Sequence, residues 1–213
     1  SPGGRYLAEG LNDRSIIWEL NFSKEKILNH DDGVPSMDFS PDGKYLAAAS
    51  SHVINIWDWD NVAETSRIDI YSNRIYGSVG PIAYSPKGEY LAAAIYRDYS
   101  DDYGQIVVWD SSTSKIVSHL DAGGKVNSLS FSSNGTDLVA GCENRMVKVW
   151  DWRREEEIAE KIDLPGPIYK VEFNPNGKLV AILAGYPFWS DNAVIVWDSI
   201  NNKELISLIK PKN

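Results

Sequence analysis

The chain has 213 residues, and its 21 Lys and Arg against 30 Asp and Glu give a net charge of −9, a balance that disfavours nonspecific binding to nucleic acid or to an anionic membrane. With 43% hydrophobic and 24% charged residues the composition is that of a folded globular protein, and disorder, collagen and coiled coil fit poorly. A single cysteine, Cys142, cannot form an internal disulfide, and neither a signal-peptide pattern nor an apolar run of the roughly 20 residues needed to span a bilayer is visible, so a reducing, cytoplasmic setting is expected.

In chain order, one unit recurs. It opens at Ser1-Pro2-Gly3-Gly4 and runs to Ile17-Trp18-Glu19. The second copy starts at Ser40-Pro41-Asp42-Gly43 and reaches Ile56-Trp57-Asp58, and the third goes from Ser85-Pro86-Lys87-Gly88 to Val108-Trp109-Asp110. Ser132-Ser133-Asn134-Gly135 leads to Val149-Trp150-Asp151, and Asn174-Pro175-Asn176-Gly177 to Val196-Trp197-Asp198. Each copy is a Pro/Asn/Gly turn, a short apolar run and a tryptophan, and the segments between are short, rich in Val, Ile and Tyr and bounded by turn residues, which reads as strand throughout. The second unit yields four strands, over 36–39, 45–49, 54–58 and 65–70, here lettered a to d. Four-stranded sheets repeating at about 40–45 residues predict the blades of an all-β propeller.

The string Asn29-His30, Val34, Phe39-Ser40-Pro41-Asp42-Gly43, Leu46-Ala47 and Ile54-Asn55-Ile56-Trp57-Asp58 resembles a WD40 repeat, and the resemblance extends over essentially the whole chain. The expected organisation is one propeller domain or propeller segment over 1–213, with blade 1 partial at 1–28 and further blades at 34–71, 79–120, 126–163 and 168–209. Strand a of blade 1 is missing, and 204–209 supplies strand d of blade 5. Just under five blades are expected, as part of a longer protein or as an incomplete five-bladed ring. An open arc would expose an apolar blade face and allow self-association.

The resemblance implies structural roles for Trp18, Trp57, Asp58, Trp109, Asp110, Trp150, Asp151, Trp197, Asp198 and His30. It also implies a buried His, Ser/Thr, Asp and Trp network in each blade, from which this sequence departs. Only His30 matches the His position, and the hydroxyl position holds Ala48, Ala93, Ala140 and Ile182. A half-built polar network is worse than none, so these blades are expected to rely on apolar packing.

Function is sought in the b–c connections. The distances from Leu91 to Trp109 and from Val180 to Trp197 exceed the distance from Leu46 to Trp57 by about six or seven residues. The additions carry Tyr96, Arg97, Tyr99 and Tyr103 in blade 3 and Tyr186, Phe188, Trp189 and Asp191 in blade 5, flanking Arg145 of blade 4. Aromatic and Arg side chains dominate interface hot spots, so these nine residues are the candidate partner-binding set, with Asp98, Asp101 and Asp102 adding an acidic rim. Alternatively, the aromatics fold down as local plugs.

No other motif survives inspection. Gly123-Gly124-Lys125-Val126 lacks the hydroxyl residue and leading glycine of a phosphate loop. His30, His52 and His119 have no metal-ligand spacing, and Glu155-Glu156-Glu157 reads as a solvated turn. Asn21-Phe22-Ser23 and Asn134-Gly135-Thr136 match a glycosylation acceptor pattern without a secretory context, and Cys142 reads as a buried hydrophobe. The expectation is a non-catalytic scaffold with no metal and no cofactor, binding a protein or peptide and neither nucleic acid nor membrane. A sensor or regulatory segment of a larger ATPase- or kinase-containing protein is the alternative, and an enzymatic or small-ligand propeller a weaker one.

Overall fold

A computed structural model describes residues 1–20, 25–72, 75, 77–96, 104–161, 163–185 and 192–209. Among these, every regular element is a strand, arranged in five antiparallel sheets that each follow chain order. The first has three strands, β1 (Tyr6–Gly10), β2 (Arg14–Glu19) and β3 (Glu25–Asn29). The second holds β4 (Ser36–Phe39), β5 (Tyr45–Ser50), β6 (Val53–Asp58) and β7 (Ala63–Asp69), and the third β8 (Ser78–Tyr84), β9 (Tyr90–Tyr96), β10 (Gly104–Asp110) and β11 (Ile116–Asp121). The fourth comprises β12 (Val126–Phe131), β13 (Asp137–Cys142), β14 (Val147–Asp151) and β15 (Glu156–Lys161), and the fifth β16 (Ile168–Phe173), β17 (Leu179–Ala184), β18 (Ala193–Asp198) and β19 (Lys203–Ile209). This is the all-β propeller architecture, with the blades in an arc that does not close on itself.

Local chemistry sets the turns. In the a–b turn of the second sheet, Ser40 Oγ accepts the Tyr45 N–H at 2.9 Å and donates to Asp42 at 2.6 Å, while Gly43 N–H closes the turn on the Ser40 carbonyl at 2.8 Å. Gly43 sits at φ 72°, which favours glycine. The same arrangement recurs at Ser132, Asn134 and Gly135. In the c–d turns the Asp of the Trp-Asp pair is the organiser. Asp110 accepts the N–H groups of Ser112 and Thr113 at 3.0 and 2.9 Å, and Asp198 accepts those of Ile200 and Asn201 at 3.1 and 3.0 Å. Hydrogen bonds, led by those from the Ser112 and Asn201 side chains, hold these two carboxyls below the ordinary aspartate range.

The core lies between sheets, so the middle strands are apolar on both faces. Leu46 and Ala48 of β5 pack with Ile17, Leu28 and Trp57 towards the first sheet, while Ala47 and Ala49 pack with Ile82, Leu91 and Trp109 towards the third. Burying these side chains contributes about 1.5–3 kcal/mol for each large one. Every four-stranded sheet carries a bulge between its third and fourth strands beside the motif tryptophan, at Ile56/Trp57, Val108/Trp109, Val149/Trp150 and Val196/Trp197.

The polar network is largely missing. His30 Nε2 and Ser15 Oγ are hydrogen-bonded at 2.9 Å, and the imidazole meets Trp57 edge-on at 5.5 Å. The buried indole N–H groups of Trp57 and Trp109 have no partner among the described residues, and burial lowers the His30 pKa. Trp109, Trp150 and Trp197 are core side chains, whereas Trp18 is half-buried on the open face of the first sheet.

Candidate functional site

The inner strands β4, β8, β12 and β16 surround a central cavity of about 990 Å³. Polar side chains tie neighbouring inner strands together. Ser36 Oγ accepts the Ile82 N–H at 3.0 Å and Asp38 Oδ2 the Tyr84 N–H at 2.8 Å; Ser128 and Ser130 do the same for Val171 and Phe173 at 3.1 and 3.4 Å. Lys170 and Glu172 of β16 also line the cavity. Burial pushes the Asp38 pKa up to about 6, against the lowering effect of the hydrogen bonds from the Tyr84 and Phe39 backbone and the charge of Lys170.

One mouth of this cavity lies on the face where the b–c connections leave. Strand β9 ends there at Tyr96 and β10 begins at Gly104; β17 ends at Ala184 and β18 begins at Ala193. Arg145 stands at the tip of the intervening β13–β14 turn, at φ 67°, and its guanidinium is 3.9 Å from the Asp163 carboxylate. Exposed pairs of this kind contribute about 0–1 kcal/mol, so Arg145 remains available to a ligand.

Tyr96 is more constrained than a loop-tip residue. It closes β9, opposite Gly104 and Ser78, and its ring is half-buried at the cavity wall. Its hydroxyl donates to the Val126 carbonyl across the seam, and burial raises its pKa. Lys125 Nζ lies 5.9 Å from the ring centroid and 3.1 Å from Glu143. A side chain at Gly80 would meet the Tyr96 ring, with Cζ at 2.3 Å, so glycine there makes room for the tyrosine. Of the candidate set, the structure brings Tyr96 and Arg145 to the same face. Arg97, Tyr99, Tyr103, Tyr186, Phe188, Trp189 and Asp191 lie outside the described residues, as do Asp98, Asp101 and Asp102 of the acidic rim.

Sequence reading missed the cavity wall. Ser36, Asp38, Ser128, Ser130 and Glu172 precede the aromatic that ends three of the inner strands, β4, β12 and β16, and a polar residue alternating with apolar ones just before that aromatic is the available signal. Among the described residues, no group of three or more His, Cys, Asp or Glu is placed to hold a metal ion. Nor is any helix among them long and apolar enough to cross a membrane.

Residues 22–58, 111–151 and 161–198 match the WD domain, G-beta repeat family. The mouse serine-threonine kinase receptor-associated protein is 25% identical over 203 residues, covering 93% of this chain and 53% of the relative. The chain thus spans about half the length of that relative. The periodic tryptophan protein 2 homolog of Schizosaccharomyces pombe is 34% identical over 103 residues, 47% of this chain and 11% of the relative. The Arabidopsis thaliana transcriptional corepressor LEUNIG_HOMOLOG is 25% identical over 207 residues, 95% of this chain and 24% of the relative.

Proposed function

This chain belongs to the WD-repeat family, and from that premise we propose that it is a non-catalytic, cytoplasmic scaffold that binds a protein or peptide on the face carrying the long b–c connections. WD-repeat proteins generally mediate protein–protein interactions, and the blades give such a site a rigid platform. One observation carries the choice of face. The two aromatic insertions, at 97–103 and 186–191, follow strands that end on the same side as Arg145 and the cavity mouth. Tyr, Phe, Trp and Arg bring large contact area at low entropic cost, and Asp98, Asp101, Asp102 and Asp191 favour a partner with basic groups.

The test is a peptide-display selection on the immobilised chain, followed by affinity measurement with the double substitution Tyr99→Ala, Trp189→Ala. The expected outcome is loss of binding with the melting temperature nearly unchanged. Retained binding together with a large fall in melting temperature would mean that the aromatics are plugs, and the reading would fail.

A second reading, in which the propeller is a regulatory part of a larger polypeptide, is favoured by the relatives' lengths. The matched region is 11% of one relative and 24% of another. The mass of the native gene product decides it: a mature protein of 23.8 kDa would exclude a fusion.

A further inference from the structure

Two sheets carry a second tryptophan directly after the Trp-Asp pair, and both use it in the same way. Trp59 of the second sheet is 5% exposed and sits in the seam with the first. Its ring centroid is 4.5 Å from that of Tyr6 and 6.0 Å from that of Phe39, and its Nε1–H donates to the Gly43 carbonyl at 3.0 Å. Trp152 of the fourth sheet, 1% exposed, repeats each contact: Tyr90 at 4.7 Å, Phe131 at 5.9 Å, and the Gly135 carbonyl at 2.9 Å. The receptor therefore has three parts. They are a tyrosine opening strand b of the preceding sheet, an aromatic closing strand a of the same sheet, and the carbonyl of the turn glycine.

The third sheet keeps the receptor and lacks the indole. Ser111 stands where Trp59 and Trp152 stand, while Tyr45, Tyr84 and Gly88 occupy the three receptor positions. All four line a cleft of about 710 Å³ between the second and third sheets, a size within the range of ligand pockets. Among the described residues, the buried Ser111 hydroxyl inside it has no hydrogen-bond partner and no donor reaches the Gly88 carbonyl. The fifth sheet also has a serine at this position, Ser199, but Asp137 replaces the tyrosine of the preceding sheet, so that seam does not offer the same receptor.

We infer that this cleft is a binding site for a tryptophan side chain of a partner peptide, the indole lying between Tyr45 and Tyr84 with its N–H donated to the Gly88 carbonyl. Edge-to-face aromatic contacts and a buried hydrogen bond to an otherwise unpaired carbonyl supply both attraction and selectivity for an N–H-bearing ring. The cleft is lined by a–b and c–d turns, Ser40 to Asp42, Lys87 to Glu89 and Asp110 to Ser112. It therefore opens on the face opposite the long connections and stands or falls independently of the site proposed there.

The probe is acetyl-Gly-(5-fluoro-Trp)-Gly-amide, followed by ¹⁹F NMR as the protein is added. The expected result is broadening of the fluorine line with wild type, absent with the matching 4-fluoro-Phe peptide and lost in Ser111→Trp, which should also melt at a higher temperature because it fills the slot from within. Tyr45→Ala should reduce the broadening and serves if the first variant fails to fold. No broadening with wild type, or broadening unchanged in either variant, would overturn the inference. So would a folded Ser111→Trp that melts below wild type, or binding of 5-fluoroindole without binding of the peptide.

Discussion

Replacing Asp38 with Asn is expected to stabilise the protein at neutral pH. Asp38 lies in the cavity wall, where burial lifts its pKa from 3.8 to about 6 even though Tyr84 N–H donates to it at 2.8 Å and Lys170 faces it. Between about pH 4 and 6 the folded state keeps a proton that the unfolded chain has released, so this group's contribution is full below pH 4 and is lost as pH rises through 6. The difference between 3.8 and about 6 corresponds to about 3 kcal/mol. Asparagine keeps a carbonyl acceptor for Tyr84 N–H and carries no charge to desolvate, so most of that loss should be recovered above pH 6. For a chain of this size the gain corresponds to roughly 5–10 °C in melting temperature. The assay is thermal and urea unfolding of both proteins from pH 4.5 to 7.5, read by tryptophan fluorescence. The gap between them should widen with pH up to about 6 and then level off. If Asp38→Asn were less stable than wild type at pH 7.5, the carboxylate's bond to Tyr84 and its attraction to Lys170 would outweigh its burial, and the reasoning would be refuted.

Two further outcomes follow from buried groups. Trp109 and Trp197 are both fully buried, but the Trp109 N–H has no partner among the described residues whereas Trp197 Nε1–H donates to Asn202 at 3.1 Å. Trp109→Phe should therefore destabilise less than Trp197→Phe, by about 1–2 kcal/mol, and equal losses in thermal unfolding would contradict that. Cys142 is buried, and burial pushes its thiol pKa up to about 12. Native protein should leave Ellman's reagent unreacted at pH 8 and release one equivalent of chromophore once denatured; rapid reaction of the folded protein would show that the strand opens.

Much of the fold was legible because its punctuation is local. The Ser-Pro-Asp-Gly turn and the Trp-Asp pair bracket the middle strands, so the sequence predicts strand a of the second unit at 36–39, where β4 lies, and strand b at 45–49, within β5. The sequence predicts the outermost strand from Thr65 although β7 begins at Ala63, because an exposed edge strand has little apolar alternation to mark it. The spacing groups Tyr96 with an insertion, yet it ends a strand and reaches the Val126 carbonyl in the next blade. Such a contact depends on how blades fan out, which no local pattern records. The same holds for Asp38 and Tyr84 and for the empty place beside Ser111. Each becomes visible only when one repeat is laid against the seam of another, and a missing tryptophan is a quieter signal than a present one.

The bulges beside Trp57, Trp109, Trp150 and Trp197 bear on how this protein stays apart from its neighbours. An outermost strand offers a row of unpaired N–H and C=O groups that a strand from another molecule can extend, and a bulge coils that row out of the flat geometry that extension needs. Strands β7, β11, β15 and β19 all follow such a bulge, whereas β3 pairs with β2 in unbroken register from Arg14 to Trp18. The motif tryptophans thus mark where four rims are bent against aggregation, and they leave the rim of the first sheet as the straight one, guarded by the charges of Glu25 and Lys26.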